Sequence, residues 1–336
     1  MRLPAEKVSK FRSFYQGRVV CVTGGAGFIG GHLVDALLSV GAEIRVIDDL
    51  SNSTLEHLSG LIELEPERVR FFHGSILDDE ALKVAMKGCQ TVFHLAALGS
   101  VPRSIEEPQR NWSVNATGTL RVLEASRAAK AMRVVFAASS SAYGDQPELP
   151  KVESMPAQPL SPYAASKLAG EQLLAVWSRC YGLSTASMRF FNIFGPRQSA
   201  DSAYAAVVAA FAKAYFAGEA PTIFGDGSQS RDFTFVSNAV VATLLAGASP
   251  ARLNGQVMNV GTGRRVTVAE LASVMARQAG VPHIQPTQRG ARPGDVMHSL
   301  ADISLAKELI GYEPVTSLEE GLAETMDWYK RVFAGA

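Results

Sequence analysis

The chain has 336 residues, of which 47% are hydrophobic and 19% charged, and its 32 Lys and Arg balance its 32 Asp and Glu. This length corresponds to about two domains or one large α/β unit, with ample apolar material for a core and no composition typical of disorder. The zero formal charge argues against a nucleic-acid-binding protein, because such proteins bind phosphates through a basic surface.

The three cysteines limit the possibilities further. Cys21, Cys89 and Cys180 lie far apart in the sequence and form no CxxC pair. This spacing fits reduced thiols in a cytoplasmic protein and gives no metal framework. The N-terminal residues lack the apolar region of a secretory signal, and no uninterrupted apolar run is long enough to cross a membrane. We therefore expect a cytoplasmic protein without membrane contact or metal.

Predicted strands and helices alternate from Arg18 to Phe190. The first strand enters a glycine turn, and a helix over 28–39 follows it. Further strands are predicted at 43–48, 68–72, 91–95, 133–139 and 184–190, with helical patterns between them. Apolar strands that alternate with helices indicate an α/β fold: a doubly wound, parallel, Rossmann-like sheet covered on both faces.

The rhythm changes after Phe191. Loops become longer, Gly, Pro and Arg cluster, and helices are predicted near 203–217, 237–248, 267–279 and 318–333. We interpret this part as a smaller α/β lobe attached to the sheet. The predicted organisation is a sheet-bearing domain over 1–190 and a second lobe over 191–336, with a segment near 232–262 returning to the first domain.

A glycine-rich turn, Thr23–Gly30, joins the first strand to the first helix. Its glycines allow a tight turn and let the backbone approach a pyrophosphate at the helix N-terminus. Asp48 ends the second strand, where a carboxylate can accept hydrogen bonds from ribose hydroxyls. The turn and the acid predict a dinucleotide site. A carboxylate repels a 2′-phosphate, and Asp49 and Leu50 follow it instead of an arginine, so NAD is favoured over NADP.

A tyrosine and a lysine four residues apart are the candidate catalytic pair. Ser161-Pro162 precedes Tyr163 and suits a helix start, which places Tyr163 and Lys167 on one helix face. A neighbouring cation can lower the pKa of a tyrosine by about one to three units, so Tyr163 can accept a proton near neutral pH. Ser139, at the end of a predicted strand, can bridge the tyrosine and a substrate oxygen.

Together these motifs resemble the extended short-chain dehydrogenase/reductase superfamily, and more narrowly its nucleotide-sugar epimerases. The resemblance covers nearly the whole chain and includes 24–30, 94–97, Asn115, Ser139, Tyr163, Lys167, 189–192, 231–233 and 292–295. Three further segments are similar to UDP-N-acetylglucosamine 4-epimerases, namely 97–104, 203–207 and 298–302.

The resemblance implies that NAD stays bound and is recycled within each turnover. Tyr163 removes the proton of the sugar 4-hydroxyl with help from Ser139, the C4 hydride leaves, and the 4-keto sugar turns over before the hydride returns. The implied cofactor residues are Gly24, Gly27, Phe28, Ile29, Gly30, Asp48, Asp49, Asn52, Ser75, Ile76, Leu95, Ala96, Ala97, Asn115, Tyr163, Lys167 and Phe191, the last flanking the nicotinamide. The implied UDP-sugar residues are Ser100, Ser139, Ser141, Asn192, Ala206, Val207, Arg231, Arg292, Asp295 and Ser299.

Two of these positions bear on the substrate, and two others depart from the family pattern. By resemblance, the small Ser299 admits an N-acetyl group where a tyrosine restricts the pocket to plain hexoses, and Ala206 replaces a common asparagine. Ser75 follows Gly74 where the family usually has an aspartate, and Asp49 replaces an asparagine. The latter two changes predict weaker NAD binding without touching the chemistry.

The alternatives differ in the residues they need. Dehydratases of this family carry an Asp-Glu pair where this chain has Ser140 and Ser141, and its decarboxylases place a glutamate there. A simple alcohol dehydrogenase has no use for Arg231 and Arg292, and non-catalytic NAD-sensing modules usually lose the tyrosine or lysine. A UDP-glucuronate 4-epimerase remains open, because it needs only a pocket adjusted for a carboxylate.

The resemblance also implies a partner, since related enzymes are usually homodimers that form a four-helix bundle. By position, the helices near 115–130 and 162–180 are the candidates. The N-terminal arm has basic residues interleaved with Phe11, Phe14 and Tyr15. We interpret it as an amphipathic extension that packs on the sheet, not as an RNA-binding or membrane-binding segment.

Overall fold

A computed structural model describes residues 3–200, 206–290 and 296–334. Its strands are β1 (Val19–Thr23), β2 (Glu43–Asp48), β3 (Val69–His73), β4 (Thr91–His94), β5 (Arg133–Ser139), β6 (Ser184–Phe190), β7 (Ile193–Phe194), β8 (Thr222–Phe224), β9 (Ser230–Arg231), β10 (Thr234–Phe235), β11 (Asn254–Val260), β12 (Val266–Thr267) and β13 (Thr287–Arg289). Seven of them form one parallel sheet in the order β11-β6-β5-β4-β1-β2-β3. The predicted doubly wound α/β fold is therefore confirmed.

The helices cover both faces of this sheet. They are α1 (Ala5–Tyr15), α2 (Phe28–Ser39), α3 (Glu56–Leu64), α4 (Asp79–Met86), α5 (Val101–Glu106), α6 (Pro108–Trp112), α7 (Gly118–Ala128), α8 (Pro162–Tyr181), α9 (Val207–Phe216), α10 (Val236–Gly247), α11 (Val268–Gln278), α12 (Ser304–Ile310) and α13 (Leu318–Ala334). A π-helical turn over 113–117 precedes α7, and a 3₁₀ turn over 140–143 follows β5. None of the helices in the described part of the chain is long and apolar enough to cross a membrane.

Alternate residues of each strand enter two different cores, because successive strand side chains point to opposite faces. On β5, Val135 packs with α2 and α10, whereas Val134 and Phe136 pack with α4, α7 and α8. On β1, Val20 and Val22 face the first core and Cys21 the second. Both sheet faces are thus buried, which explains why the strands read as continuous apolar runs.

The N-terminal helix packs on the first of these cores. Phe11 and Tyr15 of α1 are fully buried. The Tyr15 hydroxyl donates a 2.7 Å hydrogen bond to Leu244 O on α10. The arm therefore packs as the predicted amphipathic extension, with Phe11 and Tyr15 in the core and Phe14 half-buried.

The seventh strand comes from beyond β6 in the chain. After α10, β11 runs parallel to β6 on its outer side and pairs along its whole length, from Asn254 opposite Thr185 to Val260 opposite Phe190. The segment predicted to return near 232–262 therefore supplies α10 and β11. The other helices that follow β6 include α9, α11 and α13. Among these, α9 packs against both α11 and α13.

Candidate active site

The glycine turn has the close backbone packing that its sequence suggests. Gly24 adopts φ +72°, and a Cβ there would lie 2.6 Å from Ala96 N. A Cβ on Gly30 would lie 2.1 Å from Gly24 O. Side chains are therefore excluded at both positions, and the turn stays narrow where β1 meets α2.

Asp48 is joined to this turn. One carboxylate oxygen accepts a 3.0 Å hydrogen bond from Ala26 N, and the other accepts from Leu50 N and Ser53 Oγ, also at 3.0 Å. The strand that ends in Asp48 lies beside β1, so the acid stands at the mouth of the turn. This places a hydrogen-bond acceptor where a ribose would lie.

A cleft of about 590 Å³ runs from the turn, across the carboxyl ends of the strands, to Arg231 and Ser299. Such crevices are where open α/β sheets bind ligands. It brings together most of the predicted site residues: Gly24, Gly27, Phe28, Ile29, Gly30, Asp48, Asp49, Asn52, Ile76, Leu95, Ala96, Ala97, Ser139, Ser141, Tyr163, Lys167, Asn192, Arg231 and Ser299.

The candidate catalytic residues lie in the middle of this cleft. Ser161 caps α8 by accepting a 3.2 Å hydrogen bond from Ala164 N, and this start places Tyr163 in the first turn. Tyr163 is hydrogen-bonded to Ser139, whose Oγ also accepts from Ser141 Oγ at 2.8 Å. A phenol and two hydroxyls are thus linked at one point, ready to exchange a proton with a bound alcohol.

Lys167 lies one helical turn further along α8 and is nearly buried. Its ammonium donates a 2.9 Å hydrogen bond to Ala137 O on β5 and lies 4.8 Å from the centre of the Phe136 ring. Burial lowers the pKa of Lys167 to about 7, against an opposing effect of Glu171. The lysine is therefore near its titration midpoint at neutral pH.

The effect of Lys167 on Tyr163 differs from the prediction. Burial raises the pKa of Tyr163 above its ordinary value, and the hydrogen bond from Ser139 offsets this only in part. Lys167 is not among the influences on the pKa of Tyr163, and the removal of the phenolate from water dominates it. A proton acceptor at Tyr163 therefore needs further positive charge in the cleft.

The far end of the cleft is built by residues that follow β6 in the chain. Arg231 donates to Ser230 O at 3.0 Å and to Met297 O at 3.1 Å, and it is 8% exposed. Ser299 N donates to Ser230 O at 3.0 Å, and His298 Nδ1 lies 2.9 Å from Ser230 Oγ. These bonds fix one guanidinium and one small hydroxyl side chain at this end of the cleft.

Several predicted residues lie outside the lining of the cleft. Asn115 is buried and holds Leu98 through bonds to its backbone N (2.8 Å) and O (3.2 Å), so it positions a lining residue. Ser75 Oγ accepts from Leu77 N, and Ser100 caps α5. Ala206 and Val207 stand at the start of α9, away from the cleft lining.

The position of the predicted nicotinamide-flanking ring needs a correction. Phe191 is fully buried and packs with Tyr143 and Ala301, whereas Phe190 lines the cleft. The polypeptide turns at the end of β6, so that adjacent residues face different sides. Two other predicted residues, Arg292 and Asp295, lie outside the described residues.

Some residues at the site were missed by the sequence analysis. Lys151 and Tyr143 line the cleft, and Glu171 lies directly behind Lys167. The four-residue spacing from Lys167 could have indicated Glu171. Lys151 follows a Pro-rich loop and carries no local signal of its position.

The first part of the cleft fits a dinucleotide. The N-cap residue of α2 is Gly27, which has no side chain to accept hydrogen bonds from the first-turn N–H groups. Residues 27–30 line the cleft, so these N–H groups are available to a ligand there. Such donors at a helix N-terminus suit a pyrophosphate, and Asp48 suits the adjoining ribose. The glycine cradle, which any Cβ would fill, is the observation that supports this fit.

The chain is similar to known proteins over most of its length. The model of the NAD-dependent epimerase/dehydratase family matches residues 20–261. A UDP-glucose 4-epimerase of Mycolicibacterium smegmatis is 40% identical over 311 residues, which are 92% of this chain and 97% of that protein.

Two solved structures show the same fold at similar identity. One is a UDP-N-acetylglucosamine 4-epimerase from Methanobrevibacter ruminantium in complex with UDP-N-acetylmuramic acid, with a TM-score of 0.88 and 38% identity, covering 94% of this chain and 99% of that one. The other is a UDP-glucose 4-epimerase from Thermotoga maritima with UDP-glucose, with a TM-score of 0.88 and 36% identity over the same shares. The resemblance found in the motifs is thereby confirmed, and the chain belongs to the NAD-dependent epimerase/dehydratase family.

Proposed function

We propose that the protein is an NAD-dependent isomerase, a UDP-sugar 4-epimerase that interconverts UDP-N-acetylglucosamine and UDP-N-acetylgalactosamine, and also UDP-glucose and UDP-galactose. The observation that carries the proposal is the position of Ser139, Tyr163 and Lys167 midway along one cleft. The glycine turn lies at one end of this cleft, and Arg231 and Ser299 lie at the other. Similarity to 4-epimerases over more than nine-tenths of the chain supports the same reaction.

The residues divide the chemistry between them. When bound, NAD supplies a hydride acceptor that takes the C4 hydrogen and returns it to the opposite face. Tyr163 accepts the proton of the 4-hydroxyl, and Ser139 holds the same oxygen through its own hydroxyl. The turn at 24–30 would hold the pyrophosphate and Asp48 the adenosine ribose. Arg231 presents a planar guanidinium that suits the diphosphate of UDP.

The N-acetyl substrate is supported by the small size of Ser299. Its side chain lines the cleft, and its backbone is fixed by the hydrogen bond to Ser230 O. A hydroxymethyl group at this point leaves room that a ring would fill, so an acetamide can enter. Ala206 lies away from the lining, which leaves Ser299 as the residue that supports the wider pocket.

One observation favours a second candidate, a UDP-glucuronate 4-epimerase. Lys151 lines the cleft and is 2% exposed, and its backbone N donates to Leu300 O next to Ser299 at 2.7 Å. Its ammonium donates to Gln146 O. A cation near the sugar end could pair with a carboxylate at C6, which neither glucose nor N-acetylglucosamine carries.

Proton NMR of three substrates separates these candidates. Protein purified without added cofactor is incubated with UDP-N-acetylglucosamine, UDP-glucose or UDP-glucuronate, with Tyr163→Phe as the control. Formation of UDP-N-acetylgalactosamine is expected, with loss of turnover in the variant. Conversion of UDP-glucuronate alone would favour the second candidate. Unchanged sugars in all three tubes, even after NAD is added, would refute the epimerase proposal.

We also infer a homodimer that pairs through α7 and α8. These helices pack side by side in the protomer, and large apolar side chains beside them are about half exposed, including Trp112 and Val176. A second copy related by a twofold axis would cover them and form four helices. A sedimentation coefficient typical of a monomer at micromolar concentration, with full activity, would refute this arrangement.

The cysteines support a reducing, cytoplasmic compartment. All three thiols are free, and Cys180 is exposed to solvent. In an oxidising compartment an exposed thiol tends to form an intermolecular disulfide. Fractionation of native cells with an antibody to this chain tests the location, and enrichment outside the cytoplasmic fraction would contradict it.

A further inference from the structure

A buried ion pair lies directly behind the catalytic lysine. Glu171 is on α8, four residues after Lys167, and Arg189 is on β6. Arg189 Nε and Nη2 donate to the two carboxylate oxygens of Glu171 at 2.8 and 2.7 Å. The side chain of Glu171 is 1% exposed and that of Arg189 is 5% exposed. Removing two charges from water costs several kcal/mol for each ion. A buried ion pair is therefore an inefficient way to stabilise the packing of a helix on a strand.

Three titratable groups at or near the catalytic centre are uncharged at neutral pH. On β4, burial and, as the smaller cause, the charge of Lys167 together lower the pKa of His94 to about 3, so the imidazole is uncharged at neutral pH. Tyr163 on α8 remains a phenol, since burial raises its pKa. In the 3₁₀ turn, burial raises the pKa of Tyr143 to about 12.

Two charged groups lie behind Lys167, namely Glu171 and its ion-pair partner Arg189. Among the described residues, Glu171 is the carboxylate whose charge acts on Lys167, because a residue four positions further along a helix lies on the same face. Arg189 also lies over the Tyr143 ring, with Cζ 4.5 Å from the ring centre. The guanidinium is thus held from two sides, and it holds the carboxylate in turn.

Burial and Glu171 act on Lys167 in opposite directions. Burial favours the neutral amine and lowers the pKa of Lys167 to about 7, whereas Glu171 raises it. If the carboxylate were removed, the balance would move toward the neutral amine. A neutral amine still donates to Ala137 O, but it contributes no positive charge to the cleft in which Tyr163 must lose a proton.

We propose that Glu171, held by Arg189, is a positioning residue for Lys167, and that its buried carboxylate keeps the lysine ammonium charged inside the cleft. The ion pair then serves electrostatics as well as packing. Only the expected effect on epimerase turnover rests on the proposed function. The charge state of Lys167 can be measured in the protein without any substrate.

Three variants separate this role from a purely structural one. Glu171→Gln removes the charge and keeps the shape, Glu171→Asp keeps the charge, and the double variant Glu171→Gln/Arg189→Gln removes both charges and leaves no unpaired guanidinium. Glu80→Gln is the matched control, because Glu80 is an exposed helical glutamate paired with Lys83 at 3.2 Å, remote from the cleft. Circular dichroism establishes which variants are folded.

The first measurement is a pH titration of protein labelled with ¹³C at lysine Cε, with Lys167→Met to assign the resonance. The expected midpoint of Lys167 in Glu171→Gln is about one to three pH units lower than in the unaltered protein. Glu171→Asp and Glu80→Gln should keep the original midpoint. If Glu171→Gln does not fold, the double variant takes its place. Its midpoint should also be lower, but by less than in Glu171→Gln, because the opposing charge of Arg189 is removed with that of Glu171. An unchanged Lys167 midpoint in a folded variant without the carboxylate would overturn the proposal.

The second measurement is the pH profile of epimerisation. Activity that requires the charged lysine falls as pH rises through its pKa, so the alkaline limb should move to lower pH in Glu171→Gln and return in Glu171→Asp. A structural role would lower turnover equally at every pH and leave the limb in place, which would count against the proposal. If the unaltered protein turns over no UDP-sugar, the proposed function fails, and the NMR titration still decides the role of Glu171.

Discussion

A methyl group at Gly30 tests the shape of the glycine turn most directly. A Cβ there would lie 2.1 Å from Gly24 O and 2.8 Å from Gly25 Cα. Both are backbone atoms of a tight turn, and real Cβ contacts essentially never fall below 3.0 Å. In Gly30→Ala the turn must therefore open by about 0.9 Å. Gly60 on α3 offers a matched control, since no described atom lies within 4 Å of its added Cβ.

The magnitudes predict opposite effects of the same substitution. Overpacking a rigid site costs about 3 kcal/mol, whereas alanine gains about 1 kcal/mol over glycine inside a helix. Gly30→Ala should lose about 2 kcal/mol in net stability, and Gly60→Ala should gain about 1 kcal/mol. At about 2.1 cal/mol/K per residue, the unfolding entropy of 336 residues is about 0.7 kcal/mol/K. The melting temperature should therefore fall by about 3 °C in Gly30→Ala and rise by about 1.5 °C in Gly60→Ala.

Thermal unfolding and calorimetric titration with NAD provide the assay. Gly60→Ala should bind NAD as the unaltered protein does. Gly30→Ala should bind at least about tenfold more weakly, because a displacement near 1 Å misaligns the N–H groups that face the pyrophosphate. A Gly30→Ala protein with the original melting temperature and NAD affinity would show that the turn relaxes freely, and the steric reasoning would be wrong.

Three further predictions follow from single residues. Ser299→Tyr should lower kcat/KM for UDP-N-acetylglucosamine about tenfold relative to UDP-glucose, because a ring fills the space for the acetamide; equal losses on both sugars would contradict this. The pKa of His94 is lowered to about 3 by burial, against 6.5 in a model peptide, so the unfolded chain binds the additional proton between these values and stability falls as pH drops from about 6.5 toward 3. His94→Gln should flatten this slope in urea unfolding by up to about 1.4 kcal/mol per pH unit, and parallel slopes would exclude the effect. Because Cys180 is exposed and Cys21 and Cys89 are buried, Ellman's reagent should modify one thiol in the native protein and three after unfolding; native Cys180→Ser should not react.

The sheet and the glycine turn could be predicted because they rest on local signals. The alternation of apolar strands and helices gives the layers, and β-branched runs give all six strands up to Phe190 within a residue or so. The spacing of Tyr163 and Lys167 requires only that a helix begins after Ser161. Each of these inferences uses residues that are near neighbours in sequence.

The rest depends on contacts that sequence does not carry. Phe190 is the last residue of β6 and lines the cleft, whereas the next residue, Phe191, is buried in the core. Successive side chains of extended backbone point to opposite sides, so an error of one position exchanges the two environments. The pKa of Tyr163 is set mainly by burial among elements far apart in the chain, and the spacing to Lys167 carries no information on that burial. Arg189 and Glu171 lie 18 positions apart in the sequence, and only the packing of α8 on β6 shows that they form a pair.

The outer position of β11 has a consequence for how the chain is made. β6 receives its outer neighbour only from residues 254–260, so the sheet stays incomplete until most of the 336 residues have left the ribosome. Until then, the fully buried strand β6 presents a row of unpaired N–H and C=O groups along one edge. A nascent chain stalled between Phe190 and Asn254 is a template for intermolecular strand pairing, and this interval of synthesis is where a chaperone has most to protect.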